Sequence, residues 1–306
     1  MALTCLAAMI TVLGWGAEKP PQLQVLTSVY PLVLIVQELG GERVAVDTLV
    51  APGASPHTFE PVPSDMAKLV QSRFFIRVGG GLDGWSDKLL GAAPRALDTV
   101  TLLGARNLNP LGDRHASGSR HADHHTASEG KGSDPHFWLD PIRVRDAVNP
   151  LVTEHLIRAD PAGRVYYEHR IREFGEKLTA LDAAIRLEIA KSRRRQYVAF
   201  HNTWRYFAER YGLEEVAVVQ EYAGEEPTPR KVADLVRNAR AAGIAKIMVE
   251  PQLNPRIART IATEFGGGTV MADPLGDPAD PARSTYEKLM MFNAKAFAQS
   301  LKEHVP

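Results

Sequence analysis

DPAGRVYYEHRIREFGEKLTALDAAIRLEIAKS, residues 160–192, is the stretch on which the fold reading turns. Val165, Ile171, Phe174, Leu178, Leu181, Ile185 and Ile189 recur along it at helical spacing, so one stripe is apolar while the many charges between face outward. A helix of about thirty residues is about 45 Å long, enough to run beside two lobes and set their spacing.

On both sides of this segment strands alternate with helices. Upstream, residues 23–30, 42–50 and 74–78 read as strands, and residues 31–39, 64–72, 85–90 and 143–156 as helices, with Ser64 as an N-cap. Downstream, strands at 197–200, 215–219, 246–250 and 269–271 alternate with helices at 203–211, 230–242, 255–265 and 284–302. Such alternation produces parallel sheets, because a strand, a crossover helix and a second strand return in one direction. The expected fold class is therefore α/β: two lobes of parallel sheet flanked by helices, joined by one long rigid linker helix. The expected divisions are a signal segment at 1–17, an N-terminal lobe at 18–159 and a linker helix at 160–192, then a C-terminal lobe at 193–306. A His-rich loop at 113–133 belongs to the first lobe.

Composition removes several function classes. Lys plus Arg and Asp plus Glu number 36 each, so the formal charge is zero and nothing favours nucleic acid or an anionic membrane. The single cysteine, Cys5, excludes an internal disulfide and a Cys-based zinc or iron–sulfur site. Metal ligands must then be His, Asp or Glu. Residues 2–17 form an uncharged apolar run too short to span a bilayer. They resemble the core of a secretory signal, with Gly14 and Gly16 as small residues before a cut, although the usual preceding basic residues are missing. A buried first helix or strand is the alternative.

Ten histidines supply the chemistry to be explained, and four of them lie in GSRHADHHTASEGKGSDPHFWLDP, residues 118–141. The first part of this stretch has almost no apolar residues to order it. The second part sets His136 between two Asp-Pro steps and against Phe137 and Trp138, where one ring orientation is favoured. In open parallel sheets ligands bind beyond the carboxyl ends of the strands. His57, His201 and Asp273 follow expected strand ends, Glu250 closes the strand at 246–250, and His136 opens a helix. His57, His136, His201 and Asp273 could converge if the lobes face each other, and imidazole with carboxylate suits tetrahedral Zn(II).

Each residue also has a plainer reading. Taken singly, His57 or His201 reads as a hydrogen-bonded loop residue, and Asp273 before Pro274 as turn chemistry. Glu60, three residues after His57, serves equally as a solvated carboxylate or as an outer-shell or gating group, a role also open to Glu250. His121, His124 and His125, with His115, form either a solvated low-complexity tract or an auxiliary metal-capture arm.

Several motifs in order carry a family resemblance: Pro56-His57-Thr58-Phe59-Glu60 with Pro63-Ser64-Asp65, residues 134–141 as DPHFWLDP, Phe200-His201, Glu226-Pro227-Thr228-Pro229, and Glu250-Pro251-Gln252. The chain resembles the ZnuA-like metal-binding proteins of ABC transporters, the cluster A-I family of zinc and manganese carriers. The resemblance implies two α/β lobes, metal held in the cleft by His57, His136, His201 and Asp273, and delivery to an inner-membrane ABC permease. A histidine at the His201 position goes with zinc in that family, and a glutamate with manganese. The departure is the missing cysteine pair of the C-terminal lobe.

The implied function is a periplasmic, monomeric Zn(II) solute-binding protein that carries the ion as cargo, with no organic cofactor and no enzymatic activity. A zinc metallochaperone is a further candidate partner. The rivals are a manganese or iron carrier of the same family, a transporter-independent zinc buffer, and a zinc hydrolase using Glu60. No HExxH helix or nucleophile elbow supports the last.

Overall fold

The computed structural model describes residues 22–94, 97–112, 132–220 and 226–302. Two four-stranded sheets, all parallel, share one order of strands. The first is β2-β1-β3-β4, built from β1 (Leu23–Thr27), β2 (Val44–Thr48), β3 (Phe74–Arg77) and β4 (Asp98–Thr101). The second is β6-β5-β7-β8, built from β5 (Gln196–His201), β6 (Glu214–Gln220), β7 (Lys246–Val249) and β8 (Gly268–Met271). In each sheet the order reverses beside the first strand, which leaves a crevice beyond its carboxyl end. The inner strands β1, β3, β5 and β7 carry mostly buried residues, as sheets covered on both faces require.

The flanking helices are α1 (Tyr30–Gly40), α2 (Pro63–Gln71), α3 (Ser86–Ala92), α4 (Pro141–Arg143), α5 (Asn149–Ala159), α6 (Arg164–Ala190), α7 (Arg205–Tyr211), α8 (Pro229–Ala241), α9 (Arg256–Glu264) and α10 (Tyr286–Ser300). A π-helical turn, Val144–Val148, joins α4 to α5. Their starts follow local chemistry. The Asp140 carboxylate accepts from the amides of Ile142 and Arg143, and the hydroxyls of Thr228 and Thr285 accept from the third residue on. Pro141 and Pro229 occupy the first helical position, where the missing N–H costs nothing.

The long helix α6 packs on α1, α5 and α10, so it touches elements of both halves. Tyr167, Phe174, Leu178, Leu181, Ile185 and Ile189 are buried on it. Val165, expected in the stripe, is 78% exposed, because the buried stripe starts at Tyr167, two residues and about 200° further round the helix. Ser64 is not the N-cap of α2. Pro63 already starts that helix, and the Asp65 carboxylate closes the end by accepting from the Val62 amide at 2.8 Å. Strand β4 was not expected from the sequence; Asp98-Thr99-Val100-Thr101 is short, polar and at the sheet edge.

One core cluster runs through both halves, from Val25 and Phe74 through Phe137, Trp138 and Phe174 to Tyr286 and Phe297. The DPHFWLDP segment is its junction. Trp138 Nε1 donates to the Pro274 carbonyl at 2.8 Å, the Tyr286 hydroxyl donates to the Trp138 carbonyl at 2.7 Å, and the Tyr206 hydroxyl donates to the Asp134 carbonyl at 2.9 Å. The two sheets are thus fastened together beside the crevice.

Candidate metal centre

Three histidines meet in that crevice. His57 lies in the 3-10 turn Pro56–Thr58 after β2, His136 precedes the 3-10 turn Phe137–Leu139, and His201 is the last residue of β5. One ring nitrogen from each lies within 4.8 Å of the other two. The ring centroids are 5.8 Å apart for His57 and His136, 4.9 Å for His57 and His201, and 5.9 Å for His136 and His201. Zinc–imidazole bonds of about 2.0–2.1 Å put the nitrogens of a tetrahedron roughly 3.4 Å apart, so small ring rotations bring all three onto one ion.

Hydrogen bonds behind the rings decide which nitrogens face inward. His136 Nδ1 lies 2.8 Å from Asp134 Oδ1, which also accepts from the His136 amide at 3.0 Å. A carboxylate only accepts, so Nδ1 carries the proton and Nε2 the free lone pair. His201 has a longer chain behind it. Its Nδ1 is 2.6 Å from Thr203 Oγ1, and that hydroxyl donates to Glu250 Oε1 at 3.0 Å. The hydroxyl proton is committed to Glu250, so Thr203 accepts from His201 Nδ1–H, and Nε2 again faces the crevice. His136, His201, Thr203 and Glu250 are all buried.

His57 is held differently. The residue is exposed at the lip of the crevice, while its ring is turned in against the other two imidazoles. Loss of hydration around the ring, and after it the neighbouring His136 and His201, push its pKa down from 6.5 to about 2. A neutral ring with a free lone pair is the form a metal requires.

The cavity at the three rings measures about 20 Å³, with Trp138, Glu250, Gln252 and Leu275 completing its wall. That is room for about one water-sized guest, which suits an ion and excludes a sugar, peptide or nucleotide. A much larger groove of 680 Å³, between Glu188, Lys191, Arg194, Lys295 and Lys302, includes no histidine.

Asp273 is not one of this set. It lies beyond β8, fully buried, with Oδ2 2.5 Å from Arg283 Nη1, and with Oδ1 accepting from Gln252 Nε2 at 2.8 Å and from the Leu275 amide at 2.9 Å. Gln252 lines the cavity, so Asp273 stands directly behind the wall. Glu60 is exposed in the segment leading to α2. His115, His121, His124 and His125, and the segment 1–17, lie outside the described residues.

Sequence reasoning named Glu250 as an outer-shell candidate but missed Asp134 and Thr203. Asp134 is two residues before its histidine and Thr203 two after, each reaching the Nδ1 atom through a tight turn. D-x-H and H-x-T at loop histidines are therefore readable signals. Arg283 and Asp280 form a local pair three residues apart, whereas the contact of Arg283 with Asp273, ten residues away, carried no local signal.

Comparison with known proteins follows the same lines. The family described as ZnuA, zinc-uptake complex component A, periplasmic, matches residues 25–300. The chain is 27% identical over 291 residues to the zinc-binding lipoprotein AdcA of Streptococcus pneumoniae serotype 4, covering 93% of this chain but 57% of AdcA. It is 27% identical over 319 residues to the manganese-binding lipoprotein MntA of Halalkalibacterium halodurans, covering 99% of this chain and all of that one. A crystal structure of a zinc-bound ZnuA deletion mutant superposes with a TM-score of 0.78 at 24% identity, over 93% of this chain and 100% of that one. At that identity the likeness speaks for the fold alone. With the family matching nearly the whole chain, this protein belongs to the ZnuA family of zinc-uptake components.

Proposed function

We propose that this protein binds one Zn(II) ion through Nε2 of His57, His136 and His201, with Asp273 as the fourth donor, and delivers it to an ABC permease in the membrane. The observation that carries the reading is the orientation of His136 and His201. Both have Nδ1 tied from behind, so two lone pairs point at a third, neutral ring across a cavity the size of one small guest. Four protein donors around zinc leave no position for a catalytic water, so the protein carries its ion without turning anything over. Glu250 acts as the outer-shell carboxylate; Glu60 stays at the surface as a group near the entrance.

Export follows from the family, and the relatives AdcA and MntA are lipoproteins. We place the protein on the outer side of the inner membrane as a monomer, with the His-rich tract at 113–133 as an auxiliary collector and a metallochaperone as a second partner. Among the described residues no helix is long and apolar enough to cross a membrane.

A manganese carrier is the second reading, favoured by the end-to-end match with MntA. Manganese prefers oxygen donors, whereas three imidazoles favour zinc. Competition between the two ions on the metal-stripped protein tests this directly. Zinc displacing manganese at equal concentration supports the zinc assignment, and the reverse order supports MntA-like function.

A further inference from the structure

The fourth donor of the proposed site is already occupied by a cation of the protein itself. Arg283, with a side chain 10% exposed, reaches Asp273 Oδ2 through Nη1 at 2.5 Å. The same guanidinium donates through Nε to Asp280 Oδ2 at 2.8 Å and lies 3.6 Å from Asp277 Oδ2 through Nη2. Three carboxylates therefore surround one arginine. Asp273 cannot shift its backbone to escape, because Asn293 grips it at both ends, accepting from the Asp273 amide at 2.8 Å and donating to its carbonyl at 2.7 Å. With the backbone held, redirecting the carboxylate falls to its side chain, whose Oδ1 is held by Gln252 and the Leu275 amide and whose Oδ2 is held by Arg283.

We propose that Arg283 is the resident counter-ion of Asp273 in the metal-free protein and competes with the incoming cation for it. The exchange moves Asp273 from guanidinium to metal, while Asp280 and Asp277 keep Arg283 paired. No charge is left buried alone in either state, which is the condition for a buried pair to exchange at low cost. Arg283 thereby sets affinity and release: it weakens binding compared with a free carboxylate, and it is ready to reclaim Asp273 when the ion leaves. The inference rests on the zinc reading and on Asp273 as fourth donor.

Arg283→Gln and Asp280→Asn shift affinity in opposite directions on this account. Arg283→Gln strips Asp273 of its competitor, so zinc binding tightens by roughly tenfold. Asp280→Asn keeps an acceptor for the Ala282 amide but removes the charge that retains Arg283, so Arg283 clings to Asp273 and binding weakens by a similar factor. Both are measured by chelator-competition titration of zinc into stripped wild type and variants, with the zinc-induced rise in Tm as a second readout. A residue with only a structural role lowers Tm equally with and without zinc and leaves affinity unchanged. Unchanged or weaker binding in Arg283→Gln, with a tight site in wild type, overturns the competition while the zinc function stands. Should Arg283→Gln not fold, unchanged or tighter binding in Asp280→Asn overturns it. A wild type without a tight zinc site overturns both.

Discussion

Asp134 Oδ1 accepts from both the amide and Nδ1 of His136, at 3.0 and 2.8 Å, so one carboxylate oxygen fixes the backbone turn and the tautomer of a candidate ligand together. Asp134→Ala should free the ring to rotate and lower zinc affinity by about 10- to 100-fold, the usual cost of losing an outer-shell partner. Competition titration of the variant checks this.

The relay behind His201 makes a parallel expectation. Thr203→Val keeps the shape but removes the oxygen that accepts from His201 and donates to Glu250. Zinc affinity should fall by about tenfold or more, and Glu250→Gln should give a smaller loss because its amide oxygen still accepts from Thr203. Equal affinities for wild type and Thr203→Val would remove the relay from the site.

Acid should destabilise the metal-free protein partly through His57. Its folded pKa is depressed, so below about pH 6.5 the unfolded chain takes up a proton that the folded ring refuses. The unfolded state then binds more protons, and stability falls as pH drops from 6.5 toward 2. Above 6.5 both states are neutral and the effect vanishes. His57→Gln should therefore show a shallower loss of Tm between pH 7 and 5 than wild type, measured on stripped protein.

Fastening of the two sheets is testable apart from metal. Tyr286→Phe leaves the buried Trp138 carbonyl without its 2.7 Å donor and should cost about 1–3 kcal/mol in denaturant unfolding. A loss near zero would show that this contact does not hold the sheets.

Much of this architecture is legible in the sequence because its signals are local. The alternation of apolar runs gave parallel sheets, and the α6 stripe gave a long helix through Phe174, Leu178, Ile185 and Ile189. Edge strand β4 escaped because its residues are polar and its identity comes from pairing with β3. The π turn at Val144–Val148 escaped because its apolar spacing resembles ordinary helix. Strand-end position found His57 and His201, and the Asp-Pro-flanked motif found His136, but the burial and pairing of Asp273 depend on Arg283, ten residues further along the loop between β8 and α10. Outer-shell partners at two-residue spacing were legible in principle, since Asp134 and Thr203 flank their histidines.

Where tight binding resides separates the triad from the His-rich tract. Gly112 and Ser133 bridge each other, pinning the two ends of the segment between them, so removal of residues 116–131 should leave the triad in place. The most direct test is zinc titration of metal-stripped wild type, the 116–131 deletion and His136→Ala. One tight equivalent in the first two, and its loss in His136→Ala, is the predicted result. A tight site that survives His136→Ala, or disappears with the deletion, would contradict a centre built on His57, His136 and His201.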